Sequence, residues 1–430
     1  MGYHPNIETE SIANIRHFQE GKLVEAMGYL QKNSQFYQNL FQQNQIQFED
    51  IQTIEDLQKI PVTTKDDLFL YNDDFICVPK EEIIDYITTS GTLGDPVTFA
   101  MTNHDLDRLA YNECMSFLIS GLDKNDTIQL MTTIDRRFMA GLAYFLGARR
   151  LGAGIVRVGN GIPELQWDTI KRIKPSVMVA VPSFILKVID YAEKHGIDYQ
   201  NSSIKKAICI GEPLRQQDFS LTTLAMRIKE KWDIELYSTY ASTEMGTAFN
   251  ECEAGRGGHQ HPELIIVELL DENNQVVEPG EAGEITVTTL GVEGMPLLRF
   301  KTGDVAIAYH EPCSCGRNTM RLGPVIGRRK QMIKYKGTTL YPASLYDVLA
   351  DFEDIQDYFI EVFTNNIGTD GIIINILTTN ASDEFIKTIK DHFRAKLRVA
   401  PQIKIVDRST IKERKYPETS RKPLVFIDLR

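Results

Sequence analysis

Residues 177–240 read VMVAVPSFILKVIDYAEKHGIDYQNSSIKKAICIGEPLRQQDFSLTTLAMRIKEKWDIELYSTY. Short apolar runs stand at 177–181, 207–210 and 235–238, and helix-length amphipathic segments separate them. A brief unbroken apolar run suits a strand buried on both faces, and strands that alternate with helices pair in parallel through crossover connections. A similar run at 127–131 carries the alternation upstream, so it spans about residues 83–240. Before it, SIANIRHFQEGKLVEAMGYLQKN at 11–33 places apolar residues at helical spacing among good helix formers, and the first eighty residues are predicted helical. After it, between 264 and 308, the runs IIVELL, EITVTT, LLRF and VAIAY follow one another across the turns DENNQ and EPGEAG, which predicts an antiparallel sheet or small barrel.

Beyond Gly327 the pattern shifts again. KQMIKYKGTTLYP at 330–342 reads as a hairpin, followed by a helix at 343–350, strands at 358–363 and 371–377, a helix at 383–397 and a strand near 402–406. About 100 residues of this kind suffice for a small α+β domain. The predicted division is a large N-terminal α/β domain, 1–327, and a small mobile C-terminal α+β domain, 328–430. The tail KERKYPETSRKPLVFIDLR at 412–430 is expected to be a charged mobile loop ending in a short strand.

The 430 residues favour two to three domains. A hydrophobic share of 42% with 25% charged residues is that of a folded globular chain and excludes collagen-like, coiled-coil and disordered classes. Lys and Arg total 47 against 59 Asp and Glu, a net charge of −12. This argues against nucleic-acid or anionic-membrane partners, while local donors can still hold an anionic substrate. No apolar run approaches the roughly 18 residues of a membrane helix. The start MGYHPNIETE lacks a signal-peptide pattern, and Asn6 stands where a myristoylation motif needs Ser or Thr, so a cytoplasmic chain is expected. Six cysteines are too sparse for a disulfide scaffold.

Five segments carry chemistry. In TTSGTLGDP at 88–96, small residues and hydroxyls let backbone N–H groups approach an anion; it is not a GxxxxGK(S/T) loop, and a plain hairpin turn is the simpler account. In YSTYASTEMG at 237–246, Glu244 among hydroxyls suits Mg²⁺ shared with phosphate oxygens, or else the first turn of a capped helix. In RFKTGDVA at 299–306, Thr302-Gly303-Asp304 reads as a tight turn between strands, where Asp304 could accept from a ribose diol or merely close the turn. Cys252 and His259 in ECEAGRGGHQH, with Cys313 and Cys315 in EPCSCGR, offer three thiolates and an imidazole to a tetrahedral zinc; His261 competes, and ordinary loop cysteines are the alternative. Lys422 in SRKPLVFIDLR could stabilise an anionic transition state as a point charge, or sit solvated on the surface.

In order and spacing these segments resemble phenylacetate–coenzyme A ligases and the neighbouring synthetases that adenylylate a deazaflavin coenzyme, within the adenylate-forming superfamily. The family's SSGTTGKP loop corresponds to TSGTLGDP, and its GEP to Gly211-Glu212-Pro213. Its YGLSE and EC correspond to Tyr240-Ala241-Ser242-Thr243-Glu244 and Glu251-Cys252. Its PLIRYRTGD corresponds to PLLRFKTGD at 296–304, its PCxCGR is intact at 312–317, GR stands at 327–328, and Lys422 to Arg430 close the pattern. The resemblance covers about residues 61–430.

The resemblance implies the adenylate-forming enzyme fold and assigns roles. Ser90, Gly91, Thr92 and Gly94 would cradle the phosphates of ATP. Gly211, Glu212 and Pro213 would line the adenine, with Tyr240 stacked beside it. Thr243 would touch phosphate, Glu244 would hold Mg²⁺, Asp304 would bind the ribose with Arg328 behind it, and Lys422 would serve adenylate formation. Phe138, Gly141 and Tyr144 would line the acid pocket. Cys252, His259, Cys313 and Cys315 would hold a structural Zn²⁺. The sequence departs from the family at Asp95, which replaces a phosphate-loop lysine, at Leu93, at Ala241-Ser242, at Lys330-Gln331 in the hinge and at Arg421 before the lysine. The implied activity is AMP-forming ligation of an aryl or arylacetic acid to coenzyme A, using ATP and Mg²⁺, in a homodimer as related ligases suggest. The competing expectations are another acceptor (an amine, a carrier-protein thiol or a deazaflavin) and a degenerate nucleotide-binding module.

Overall fold

The computed structural model describes the chain apart from residues 1–4, 90–96, 136, 337, 366–369 and 418–422. It divides into two units, Met1–Val325 and Ile326–Arg430.

In the first unit the strands Gly154–Arg157, Thr127–Leu130, Val177–Ala180, Lys206–Ile210 and Glu235–Ser242 lie side by side in that order, all parallel. The apolar runs of Val177–Ala180 and Lys206–Ile210 are continuous because each of these central strands feeds two cores. Met178, Ala180, Ala207 and Cys209 join Trp167, Ile185, Val188 and Ile228 on one face. Val177, Val179, Ile208 and Ile210 join Phe117, Tyr144 and Ala148 on the other. The connecting helices Met139–Leu151, Pro163–Ile173, Pro182–His195 and Thr223–Lys231 supply that cover. The strand Gly154–Arg157 escaped the sequence reading because it is a half-exposed edge with no residue fully buried.

At Glu235–Ser242 the chain changes direction sense. Thr247–Glu251 returns antiparallel to it, and the order continues through Gly258–His259, Arg321–Leu322, Phe300–Tyr309, Ala282–Thr289 and Ile265–Leu270. The expected antiparallel part is therefore continuous with the parallel part. The predicted LLRF run forms no strand of its own: Leu297 and Leu298 enter the core, and only Phe300 joins the neighbouring strand. Helices Ile12–Asn33, Gln35–Gln43 and Lys65–Leu70 precede the sheet, and the hairpin Ile83–Thr88 with Thr98–Thr102 stands apart from it.

The helix Asn103–Ile119 is enclosed on nearly every side, so its polar residues need internal partners. The Asp105 carboxylate accepts from Thr102, Glu293 and Gly294 backbone N–H groups at 2.8–3.0 Å. Arg108 donates to Leu290 O, Gly246 O and Leu264 O at 2.6–2.9 Å. Glu113 is an exception. The helix Met139–Leu151 approaches so closely at Gly147 that a Cβ there would lie 2.3 Å from the Glu113 Cβ. Glu113 Oε1 accepts from Asn112, whereas Oε2 has no hydrogen-bond partner among the described residues. Burial pushes this carboxyl up to about 8, against the opposing pull of His261.

In the second unit Ile355–Thr364 and Asp370–Thr378 pair antiparallel, flanked in parallel by Phe426–Asp428 and Gln402–Ile405. Residues of the helices Pro342–Ala350 and Asp383–Leu397 share the core of this sheet. The predicted hairpin is Ile333–Tyr335 with Thr338–Leu340. Among the described residues of the tail, only 412–415 depart from the expectation of a loop, because they close a helix; 418–422 lie outside the described residues. Arg408–Lys415 is a helix capped by Asp407, whose side chain accepts from Thr410 N at 2.8 Å. It buries Ile411 and pairs Lys415 with Asp357, and one apolar position among seven polar ones left no periodic signal. No helix among the described residues is long and apolar enough to cross a membrane.

The Glu113 carboxyl binds its proton more tightly when folded than its ordinary value of 4.5 allows. Its unfavourable contribution is therefore absent below about pH 4.5 and grows until pH passes about 8, reaching on the order of 3–5 kcal/mol. Glu113→Gln is expected to raise the unfolding free energy at pH 8.5 relative to wild type more than at pH 5, as read by urea titration. An equal difference at both pH values would show that Glu113 is ionised in the folded protein.

Candidate active site

Tyr240 lies near the end of Glu235–Ser242, and Asp304 lies in Phe300–Tyr309, with three strands between them in the sheet order. Four flat interstrand spacings would separate their backbones by about 19 Å. Yet the Tyr240 hydroxyl donates to Asp304 Oδ2 at 2.9 Å. The antiparallel part must therefore curl about its own core, which contains Phe249, Ile265, Ile285, Phe300 and Leu322. Two of the three intervening strands are only two residues long, which permits that curvature.

Local geometry aims Asp304 at this contact. Thr302-Gly303-Asp304 is not the expected turn between strands but a bulge inside one strand. The register passes from Glu284↔Val305 to Thr286↔Lys301, leaving three residues opposite Ile285. Gly303 takes φ +84°, a left-handed conformation that favours glycine, although a side chain would meet nothing there. Thr302 Oγ1 donates to Ile285 O at 2.8 Å and accepts from Asp304 N at 3.2 Å.

Thr243 and Glu244 sit in the tight turn joining Glu235–Ser242 to Thr247–Glu251, so this segment is a hairpin and not the start of a capped helix. Gly246 at φ +54° closes the turn, and Arg108 holds it through Gly246 O at 2.7 Å. The turn borders a small apolar cavity walled also by Phe99, Met139 and Met295. Glu244 is mostly buried, and Lys65 Nζ lies 3.7 Å from its Oε1. Burial, then Asp304 and Glu244, push the Tyr240 phenol well up, so it remains a proton donor to Asp304. Lys65 and Arg108 were missed from the sequence. Thr64 and Asp67 form a capping box that marks a helix start at Lys65, but nothing local signals its reach to Glu244.

Gly211-Glu212-Pro213 follow the strand Lys206–Ile210, with Gly211 at φ +76°. The Glu212 carboxylate accepts from Ser183 N and Oγ, both at 2.8 Å, and so caps the helix Pro182–His195. Phe138 is exposed at the start of Met139–Leu151. Gly141 presses on Thr133, whose carbonyl would lie 1.9 Å from an added Cβ, and Tyr144 is buried beside Phe117 with ring centroids 6.1 Å apart. Of the three expected pocket residues, only Phe138 presents its side chain outward. Arg328 is exposed in the second unit. Ser90, Gly91, Thr92, Gly94 and Lys422 lie outside the described residues. Thr89 and Val97, which flank residues 90–96, are tied together, with Thr89 N donating to Val97 O at 3.0 Å and Val97 N to Thr89 Oγ1 at 3.2 Å.

Cys252, His259, Cys313 and Cys315 converge, their ligand atoms all within 4.8 Å of one another. A tetrahedral zinc requires about 3.8 Å between two sulfurs and about 3.5 Å between sulfur and nitrogen. Cys252 Sγ lies 3.6 Å from Cys313 Sγ, and Cys315 Sγ lies 3.5 Å from His259 Nε2. His259 Nδ1 is 2.9 Å from Thr319 Oγ1, which directs Nε2 at the sulfurs. Burial, then Arg317, push the His259 imidazole down to about 3, leaving it neutral. The competing His261 is engaged elsewhere, with Nδ1 2.7 Å from Glu8 Oε1 and Nε2 3.2 Å from Ser116 Oγ.

A doubly covered parallel sheet that curls into an antiparallel part, followed by a small α+β unit, is the architecture of an adenylate-forming enzyme. Residues 21–294 match the AMP-binding enzyme family, and the chain belongs to that family. It is 28% identical over 365 residues to the phenylacetate–coenzyme A ligase of Thermus thermophilus, covering 84% of this chain and 80% of that one. It is 26% identical over 363 residues to the phenylacetate–coenzyme A ligase of Escherichia coli, covering 82% and 80%. Among solved structures it is similar to a 2-hydroxyisobutyryl-CoA ligase in complex with 2-HIB-AMP, with a TM-score of 0.84 and 21% identity over 99% of this chain and 92% of that one.

Proposed function

We propose that this protein is an AMP-forming acid–CoA ligase that activates an aryl or arylacetic acid with ATP and passes the acyl group to coenzyme A. The observation that carries the reading is the meeting of Asp304 with Tyr240, which lies on the strand that leads directly into the Glu244 turn, in a member of the AMP-binding family. The phenylacetate–coenzyme A ligases among its relatives support the acid and the acceptor.

A carboxylate is a poor acyl donor because its leaving group would be oxide. Its attack on the α-phosphorus of ATP forms an acyl-adenylate and expels pyrophosphate; the CoA thiol then displaces AMP. Such transfer rests on positioning and electrostatics. In this reading Asp304, held by the Tyr240 hydroxyl, accepts from the ribose hydroxyls, and the Tyr240 ring lies beside the adenine. Glu212 is fixed by Ser183 and supports the adenine side through backbone placement. Thr243 donates to phosphate. A mostly buried carboxylate beside a hydroxyl fits Mg²⁺, which takes one or two carboxylates and completes its shell with phosphate oxygens and water. Magnesium at Glu244 would neutralise charge on the phosphates. Lys65, beside Glu244, adds a cation to a site whose sequence has Asp95 in place of the usual phosphate-loop lysine. Lys422 stabilises the adenylation transition state as a point charge. The Cys252, His259, Cys313 and Cys315 set fits a structural zinc by donor chemistry and spacing.

Pyrophosphate exchange with a panel of carboxylic acids tests the reading directly. Exchange with aryl or arylacetic acids, together with CoA-dependent AMP release, is expected. Exchange without CoA dependence would move the acceptor to an amine, a carrier-protein thiol or a deazaflavin, and no exchange with any acid would overturn ligase activity. Lys422→Ala is expected to lower adenylate formation by about 10²-fold or more while thioester formation from supplied acyl-adenylate largely persists; equal loss of both half-reactions would contradict its role. Asp304→Ala is expected to raise KM for ATP about tenfold with KM for the acid unchanged, since a hydrogen bond to a charged group is worth about 1.5–3 kcal/mol. An unchanged KM for ATP would separate Asp304 from the ribose.

A further inference from the structure

The loop that carries Cys313 and Cys315 also fastens the beginning of the chain. Asn318 donates from its backbone N–H to Glu8 O at 2.9 Å and from its side-chain amide to Thr9 O and Glu10 O at 3.2 and 2.9 Å. These bonds hold the short helix Pro5–Thr9 in register with the loop. Glu8 is 1% exposed, and both its oxygens are used. Oε2 accepts from Arg317 Nε at 2.7 Å, and Oε1 lies 2.7 Å from His261 Nδ1. Arg317 in turn sets its Nη1 3.7 Å from Cys315 Sγ. The chain of contacts therefore runs from the start of the protein, through one carboxylate and one guanidinium, to a sulfur of the candidate metal set.

We propose that Glu8 is a positioning residue for the metal centre: its carboxylate holds the Arg317 guanidinium against the Cys315 sulfur, so that the segment Pro5–Thr9 and the metal ion retain each other. This rests on the reading of Cys252, His259, Cys313 and Cys315 as zinc ligands. Three thiolates and one neutral imidazole leave a zinc centre with one net negative charge. A cationic N–H donor on a ligand sulfur offsets that charge and orients the thiolate. Arg317 is a long side chain that is still partly exposed, and Glu8 is what stops it turning to solvent. Glu8 is held by Arg317, His261 and the Asn318 bonds, so its position is determined from three sides. Contacts of this outer kind commonly change metal affinity by about 10–100-fold.

The test uses the full-length, zinc-loaded chain and a chromogenic chelator. Glu8→Gln keeps the shape of the side chain and removes its charge. It is expected to release zinc about tenfold faster than wild type, and to lower the melting temperature of the zinc-loaded form by more than that of the zinc-stripped form, which also loses the pairing of Glu8 with Arg317 and His261. Arg317→Lys keeps the charge but cannot hold Glu8 and Cys315 together, and is also expected to release zinc faster; it decides the matter if Glu8→Gln does not fold. Stripping zinc from wild type is expected to open residues 5–10 to proteolysis, read by mass spectrometry. Wild-type release rates in the variants would overturn the proposal. So would equal destabilisation of loaded and stripped forms, which would mark Glu8 as a merely structural anchor, and so would continued protection of residues 5–10 without zinc. A wild-type chain that holds no zinc and takes none up would overturn the metal reading itself, and this is seen before any variant is compared.

Discussion

The hydrogen bond from Tyr240 to Asp304 constrains the shape of the long sheet. It joins residues on strands that the sheet order separates by three others, so it exists only if the antiparallel part bends sharply. That bend needs the two-residue strands Gly258–His259 and Arg321–Leu322, the bulge at Gly303 and an apolar interior for the curled sheet to enclose. The parallel half supplies a rigid platform, covered by helices on both faces, from which Glu235–Ser242 delivers Tyr240 and then Glu244. A platform of this kind tolerates little displacement, because its central strands Val177–Ala180 and Lys206–Ile210 pack into two cores at once.

Polar groups in the interior follow from the same crowding. The helix Asn103–Ile119 is buried beneath the junction of the two sheet halves, and Arg108 spends its guanidinium on backbone carbonyls that include the one closing the Glu244 turn. Its neighbour Glu113 has no comparable set of donors and is kept protonated by burial. One helix thus holds a fully partnered cation that orders the candidate site and a carboxyl that resists ionisation.

The cysteine and histidine cluster lies on the same curled sheet. Cys252 follows the strand that returns from Glu244, and His259 sits in one of the two-residue strands. Cys313 and Cys315 come from the loop between Phe300–Tyr309 and Arg321–Leu322. A clip at that position reinforces the region where hydrogen-bonded strand length is shortest.

Much was legible in the residues themselves. Unbroken apolar runs announced doubly buried parallel strands, because such a strand cannot alternate. The order of short glycine-, hydroxyl- and cysteine-rich segments pointed to Tyr240, Glu244, Asp304 and the four candidate zinc ligands, because close approach and ligation demand particular residue types. The edge strand Gly154–Arg157 and the helix Arg408–Lys415 were not legible, since each buries too little to imprint a period. Only the tertiary structure decided that Thr302-Gly303-Asp304 is a bulge, that His259 and not His261 joins the sulfurs, and that Lys65, Arg108 and Glu8 reach the two sites. The physical reason is range: a residue type can declare what chemistry it offers, but a contact across 138 to 309 positions of chain exists only once the sheet has curled and the helices have closed on it.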